Sequence, residues 1–410
     1  MTPRHLFVAA AIAALTVSTA AAAPSPAPVE GDTILFGAAV SFTGSLAKEG
    51  RLTREGYDFW KDYVNEHGGL RVGGKVYHVD INYYDDESNP QNAAKLVEKL
   101  IDQNHVNFIL GPYGSATSFA VAAVTERRAI PMVEGNGAAE KIFNQGYKYT
   151  FGVLSPARKY LAGIIEFATK RKPRPTAIAI TATDEAFSLE IQQGAIELAN
   201  DHGIHVVYTG RYSTTTSDVS GIVASIKASG ADMILNAGHL QDALLMHRTL
   251  KDQNVQAKIY GYSVGPDTPD FRDGLGRDAN YVLGSAQWSD AVRYHGAPGF
   301  YGSAQQYARA FTRAVGHAPD YHNAESSAAC LAFQYAIQRA GTLDPARVRD
   351  ALANLDVVTF FGLLKFDSRG LNVFKPMVVN QIQAGKLVTI YPYRLAEAEP
   401  MYPTPPWGAR

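Results

Sequence analysis

The chain has 410 residues, 46% of them hydrophobic, and 38 Lys and Arg against 39 Asp and Glu leave a formal net charge of -1. That balance supplies no basic surface for nucleic acid or for an anionic membrane. The length exceeds what one core accommodates and suits two domains, and the single cysteine, Cys330, excludes an internal disulfide.

The N-terminus reads as an export signal. Arg4 and His5 precede an apolar run over residues 6–17, and small residues follow over 18–23. This is a charged region, an apolar region and an A-x-A cleavage zone, with the cut expected near Ala22. The run is short for a spanning helix, which needs ~20 apolar residues. Residues 1–23 are therefore expected to be a signal peptide, and 24–31, with Pro24, Pro26 and Pro28, a disordered leader. No cysteine near the cut is available for a lipid anchor. A secreted chain free of disulfides points to a bacterial periplasm. Cys330, among Ala328, Ala329, Leu331 and Phe333, reads as an inert core residue.

The apolar run over 33–40 predicts a strand, followed by a Gly/Ser loop and a helix over 53–66. Alternation predicts a strand over 76–84, ending in Asp85, Asp86 and Glu87, and Asn89-Pro90 opens a helix to 102. A strand over 106–110 meets Gly111 and Pro112, which stop it. Gly114 lets backbone approach a ligand, and Ser115 or Thr117 caps the helix beyond. Such a corner leaves helix N–H groups without partners and favours an anion. A strand over 130–134 follows, with Gly135, Asn136, Gly137 and Ala138 in its loop.

The pattern restarts with strands over 177–181, 205–209, 233–236 and 258–260, between helices over 188–202, 219–229 and 241–253. Long helices over 304–315 and 324–340 precede strands near 363–366 and 376–382. Alternating strands and helices imply parallel sheets covered on both faces, here two doubly wound α/β lobes. In such lobes ligands bind beyond the carboxyl ends of the strands. Those loops carry Phe42, Tyr113, Ser115, Asn136, Phe187, His239, Tyr262 and Ser263, a list of aromatic, hydroxyl and amide groups with few charges. It resembles the lining of a small-molecule pocket more than a reaction centre.

Three motifs compete with that reading. Gly261-Tyr-Ser-Val-Gly265 matches a nucleophile elbow, but Pro266, Asp267, Thr268 and Pro269 replace the helix it requires, and no His follows Asp356. Gly69 to Lys75 resembles a phosphate loop, yet Val76 stands where a Ser or Thr must hold magnesium, so it reads as a turn. His202, His205 and the run Asp85 to Glu87 lack metal-ligand spacing, and the acidic run is expected to cap the next helix. No cofactor and no metal are expected.

Four blocks carry a family resemblance: Phe36-Gly-Ala-Ala-Val-Ser-Phe-Thr-Gly-Ser; Asn65-Glu-His-Gly-Gly-Leu with Tyr84-Asp-Asp; Ile109-Leu-Gly-Pro-Tyr-Gly-Ser-Ala-Thr-Ser; and Gly362-Leu-Leu-Lys-Phe-Asp-Ser-Arg-Gly. Together they resemble the leucine/isoleucine/valine-binding family of periplasmic solute-binding proteins of ABC importers. The resemblance implies two Rossmann-like lobes joined by three crossovers, placed near Phe151, Gly284 and Val358, that close on a ligand. The lobes are then 32–151 plus 285–357 and 152–284 plus 358–395, with a tail over 396–410. Ser115 matches the family's carboxylate-binding Ser, and Asn136, Gly137 and Ala138 match a second carboxylate loop. Tyr113, Phe187, His239 and Tyr321 match positions lining the side-chain pocket, and Glu49 a lid position. The implied partners are a carboxylate-bearing solute and an inner-membrane permease, and the implied state is a monomer.

Two departures stand out. Ala138 replaces a Thr donor, and Ser263 falls where the family's amino-acid binders place a Glu against the ligand ammonium. A buried ammonium without a carboxylate is costly. Either Glu49 or Asp267 substitutes, or the ligand lacks an α-ammonium. With Phe42, Tyr113, Phe187, Tyr262 and Tyr321 nearby, the expectation is an organic acid of aromatic character, ahead of a branched-chain amino acid. The other functions weighed are a secreted hydrolase using Ser263 and a ligand sensor of the same fold.

Overall fold

The computed structural model describes residues 32–410, so the signal peptide and leader expected over 1–31 lie outside the described residues. The first half of the chain forms β1 (Thr33–Val40), α1 (Ala47–Glu66), β2 (Leu70–Val72), β3 (Lys75–Asp85), α2 (Pro90–Asp102), β4 (Phe108–Leu110), α3 (Ser115–Arg128), β5 (Met132–Glu134), α4 (Glu140–Phe143) and β6 (Thr150–Gly152). Next come α5 (Ala162–Thr169), β7 (Ala177–Thr183), α6 (Ala186–Asp201), β8 (His205–Tyr212), α7 (Ser220–Ser229), β9 (Met233–Ala237), α8 (Leu240–Asp252), β10 (Ile259–Tyr262), α9 (Pro269–Leu275) and β11 (Leu283–Ala286). The last part holds α10 (Ala304–Val315), α11 (Tyr321–Ala340), α12 (Pro345–Ala353), β12 (Asp356–Thr359), β13 (Gly362–Lys365), β14 (Val378–Gln383) and β15 (Lys386–Tyr391).

Two sheets result. The first has the order β2-β3-β1-β4-β5-β6 and the second β15-β14-β11-β10-β9-β7-β8. Their central strands are parallel and buried on both faces, as β1 and β9 show, so they read as apolar runs rather than alternation. The edges differ from the all-parallel expectation: β2 pairs antiparallel with β3, and β14 antiparallel with both β11 and β15. Short tight turns join β2 to β3 and β14 to β15, which only antiparallel pairing permits.

The chain leaves the first sheet after Gly152. Gly284 lies inside β11, so the return comes after Ala286. Leu371 still bridges Gly152, so the third crossing comes between Leu371 and Val378, later than Val358. Residues over 396–410 pack on the second lobe: Trp407 is buried and its Nε1–H donates to the Val255 carbonyl at 2.7 Å.

Local chemistry sets the helix ends. The Asn89 side chain accepts from Gln91 N and Asn92 N, and Pro90 supplies a preset first turn to α2. The acidic run before it does other work. Asp85 accepts from Phe42 N and Thr43 N, and Asp86 accepts from the Ser41 hydroxyl at 2.6 Å, so both hold the loop after β1 instead of capping α2. Helix α11 starts at Tyr321, earlier than the small-residue run at 324 announces, because Asp320 and Asn323 form a reciprocal capping box. It is buried nearly all round, against α1 and β5.

Candidate ligand-binding cleft

Each sheet has a point where its strand order reverses. In the first, β1 is followed outward by β3 on one side and β4 on the other. In the second, β7 lies between β8 and β9. The loops at such points diverge and open a crevice at the strand ends. Those loops carry Tyr113 and Ser115 on the first lobe and Glu185, Phe187 and His239 on the second. The two crevices face each other.

The lobes meet there through named contacts. The Tyr113 hydroxyl and His239 Nδ1 share a hydrogen bond at 3.0 Å, and burial first, then the Glu49 carboxylate, pushes that phenol's pKa well above its usual value. Leu240 N donates to Glu49 Oε1 at 3.3 Å. Glu190 of α6 accepts from Glu140 N at 2.6 Å and Lys141 N at 3.0 Å, and so closes the N-terminus of α4 from the opposite lobe. Outside, Lys48 pairs with Asp270 at 2.8 Å.

Between them lies a small cavity of about 10 Å³. Its wall is a relay of rings: Tyr160 edge-on to Phe187, Phe187 stacked on His239, His239 against Tyr113, Tyr113 against His322, and His322 stacked on Tyr321. Val264, Ser115, Asn136 and Glu325 complete it.

Ser115 begins α3 because Gly114, at φ 88°, makes a turn that a side chain would strain. Its Oγ accepts from Ala138 N and Ala139 N, both at 3.1 Å. A hydroxyl that accepts twice still has one proton to donate. Among the described residues none takes that proton. Ala138, which lacks the Thr hydroxyl, contributes its backbone N–H to Ser115 instead.

Several buried polar atoms of the cavity lining have no partner: Asn136 Oδ1, Tyr321 Oη, His322 Nε2 and Glu325 Oε2. Asn136 is held by donating from Nδ2 to Ser326 Oγ at 3.0 Å. His322 Nδ1 faces Asp320 at 3.3 Å. Burial opposes a charge on this imidazole, but Asp320, then Glu49 and Asp267, prevail and raise its pKa. Its Nε2 has no partner and faces the cavity, where it donates only when the ring carries a second proton. Burial costs of this kind are met in native proteins by a partner.

Of the residues singled out in the sequence, Tyr113, Ser115, Asn136, Phe187, His239 and Tyr321 meet in this cavity. Gly114, Gly137 and Ala138 form the backbone around Ser115. Glu49 sits at the lobe contact. Phe42 lies elsewhere, against Tyr83 with the Arg54 guanidinium 5.2 Å from its ring. Strand β10 runs on to Tyr262, and alternation turns that ring into the second lobe, where it bonds His247 Nδ1 at 2.8 Å. Ser263 Oγ donates to Gly238 O at 2.9 Å and accepts from Gly238 N at 3.0 Å, leaving no proton for a base to take. Tyr160, Val264, His322 and Glu325 are the lining residues the sequence reading missed. Among the described residues, no three His, Cys, Asp or Glu side chains gather closely enough to hold a metal ion. No helix there is long and apolar enough to cross a membrane.

Two doubly wound lobes that meet across a cleft at their strand ends are the architecture of a type I periplasmic binding protein. The chain belongs to the periplasmic binding protein family, whose profile matches residues 33–386. It is similar to Leu/Ile/Val-binding protein homolog 7 of Brucella suis biovar 1, with 25% identity over 94% of this chain and 98% of that one. Solved structures share the fold. The branched-chain amino acid substrate-binding protein LivJ of Streptococcus pneumoniae, in complex with isoleucine, superposes with a TM-score of 0.75 at 18% identity, covering 87% of this chain and 97% of that one. An R. palustris solute-binding protein of an ABC transporter, in complex with 4-hydroxybenzoate, gives 0.74 at 21% identity, covering 92% and 99%.

Proposed function

We propose that this chain captures a small carboxylate-bearing solute between its lobes in the periplasm and delivers it to an ABC permease. The observation that carries this reading is the cluster at the cleft: the unused Ser115 proton, the Tyr321 hydroxyl and the partnerless His322 Nε2 lie in one small cavity walled by rings. Hydroxyl donors in a lining without Lys or Arg suit a carboxylate better than a phosphate. The family match supports the periplasmic address, with the export signal over 1–23 as its means. The relatives that hold isoleucine and 4-hydroxybenzoate both hold carboxylates.

In this reading the first lobe supplies Ser115, Asn136 and the α11 residues, and the second closes with Phe187 and His239. The crossings act as the hinge, and the lobe contacts form as water leaves the cleft. A thermal-shift series tests it. Isoleucine, benzoate and 4-hydroxybenzoate are compared with the amides of the same shape. A ligand at 100 times its Kd stabilises by ~2.7 kcal/mol. Carboxylates should raise the melting temperature and the amides should not; equal shifts for both sets would refute the reading.

A further inference from the structure

Each of the three crossings between the sheets gives one buried polar side chain to a single knot: Ser155 from the first, Gln287 from the second and Lys375 from the third. Gln287 grips both backbone groups of Ser155. Its Oε1 accepts from Ser155 N at 3.0 Å, and its Nε2 donates to Ser155 O at 3.1 Å. The Ser155 hydroxyl donates to the Lys375 carbonyl at 2.6 Å. The Lys375 ammonium closes the triangle by donating to the Gln287 carbonyl. Each crossing is thus bonded to the other two.

Up to that level the first and third crossings run side by side. Gly152 N donates to Gly370 O at 2.8 Å, Asn372 N to Gly152 O at 3.1 Å, and Asn372 Nδ2 to Val153 O at 3.2 Å. Gln287 and Lys375 then bring in the second crossing. Lys375 is the costly member. It is 2% exposed, burial pulls its pKa down to about 7 against the opposing pull of Glu325, and among the described residues no carboxylate bonds it. A buried cation without a bonded counter-ion destabilises a fold, and an apolar side chain fills the same space without that cost. An apolar chain does not, however, fasten one crossing to the next.

We propose that Ser155, Gln287 and Lys375 are positioning residues of the hinge, which tie its three crossings into one pivot and so return the lobes to a single closed register. This rests on the capture reading, in which the lobes open and close, and does not depend on which solute is captured. A hinge is a few residues that absorb the φ/ψ change of closure. With the knot in place the crossings bend together, and Tyr113 meets His239 at each closure. Without it each crossing takes its own share of the bend.

Pulsed electron paramagnetic resonance on the full chain decides it. Spin labels on Lys95→Cys in α2 and Ala224→Cys in α7, both exposed, report the distance between the lobes, while Cys330 is fully buried and out of the label's reach. Without ligand the otherwise unchanged chain should give narrow distances, and Q287A and K375M should broaden them about twofold with the circular dichroism retained. S155A removes one bond and no charge; it should broaden them less, and it carries the test if the other two fold poorly. Ile191→Ala opens a cavity in the buried face of α6; it should lower the melting temperature and leave the widths alone. Unchanged widths in Q287A, K375M and S155A, or equal broadening in Ile191→Ala, overturn the pivot. A single distance that neither the variants nor isoleucine, benzoate and 4-hydroxybenzoate shift shows lobes that do not open, and the capture reading then fails together with the pivot.

Discussion

The Tyr113 hydroxyl reaches His239 Nδ1 across the cleft at 3.0 Å, a bond that exists only when the lobes are together. Both rings also belong to the cavity wall, so closure and ligand contact are coupled through the same pair. Tyr113→Phe keeps the ring and removes the bond. A net hydrogen bond contributes ~1 kcal/mol, so ligand affinity should fall roughly fivefold with little change in the melting temperature of the unliganded protein. Calorimetry beside a melt checks both; unchanged affinity would show that the bond does not favour closure.

The outer contact should matter far less. Lys48 is half exposed and Asp270 is partly so, and such pairs contribute ~0.2–1 kcal/mol and are screened by salt. Asp270→Asn should change ligand affinity by less than about fivefold, and that change should vanish when ionic strength is raised.

His247 makes a pH prediction. Burial is the main cause holding its pKa down to about 3. Its Nδ1 accepts from Tyr262 while Nε2 donates to the Asp278 carbonyl, which fixes the neutral ring. The unfolded ring takes a proton near pH 6.5 that the folded ring refuses. Stability from this residue is thus complete above about pH 6.5 and is lost as pH falls from there toward 3, by up to ~1.4 kcal/mol per unit. Urea titrations of wild type and His247→Gln between pH 7 and pH 4.5 should show their stability difference shrinking on acidification. Glu134 and Asp267, pushed up to about 7 by burial, slope the opposite way in both proteins and cancel.

A pair of glycines tests packing. A Cβ on Gly50 would sit 1.9 Å from the Ser41 carbonyl oxygen, where backbone must move, whereas a Cβ on Gly221 meets nothing within 4 Å. Gly50→Ala should destabilise by ~1–3 kcal/mol and disturb the neighbouring Glu49 contact. Gly221→Ala, in the exposed turn of α7, should stabilise by ~0.5–1 kcal/mol. Denaturant midpoints separate the two.

Much of this cleft was legible because strand ends are. The Gly111-Pro112 stop and the helix after it put Ser115 at a corner that strand order then made a switch point. Tyr262 misled because β10 runs two residues further than its apolar run, and each residue added to a strand reverses the face. Glu325 was hidden by its company. In a helix of Ala, Ser and Cys, a lone acidic residue was the available sign, but its neighbours across the cleft come from strands far away in the chain. Only tertiary packing shows that the α11 face points at Ser115 and not at solvent.

The third passage between sheets has a consequence for how this molecule is made. The last strand of the first sheet ends at Gly152, yet its covering helix α11 begins at Tyr321, and the second sheet lacks β14 until Val378. Neither lobe can be excised by a single cut. During synthesis each sheet waits, only partly covered, for segments not yet translated. The growing chain therefore completes neither lobe until nearly its whole length exists.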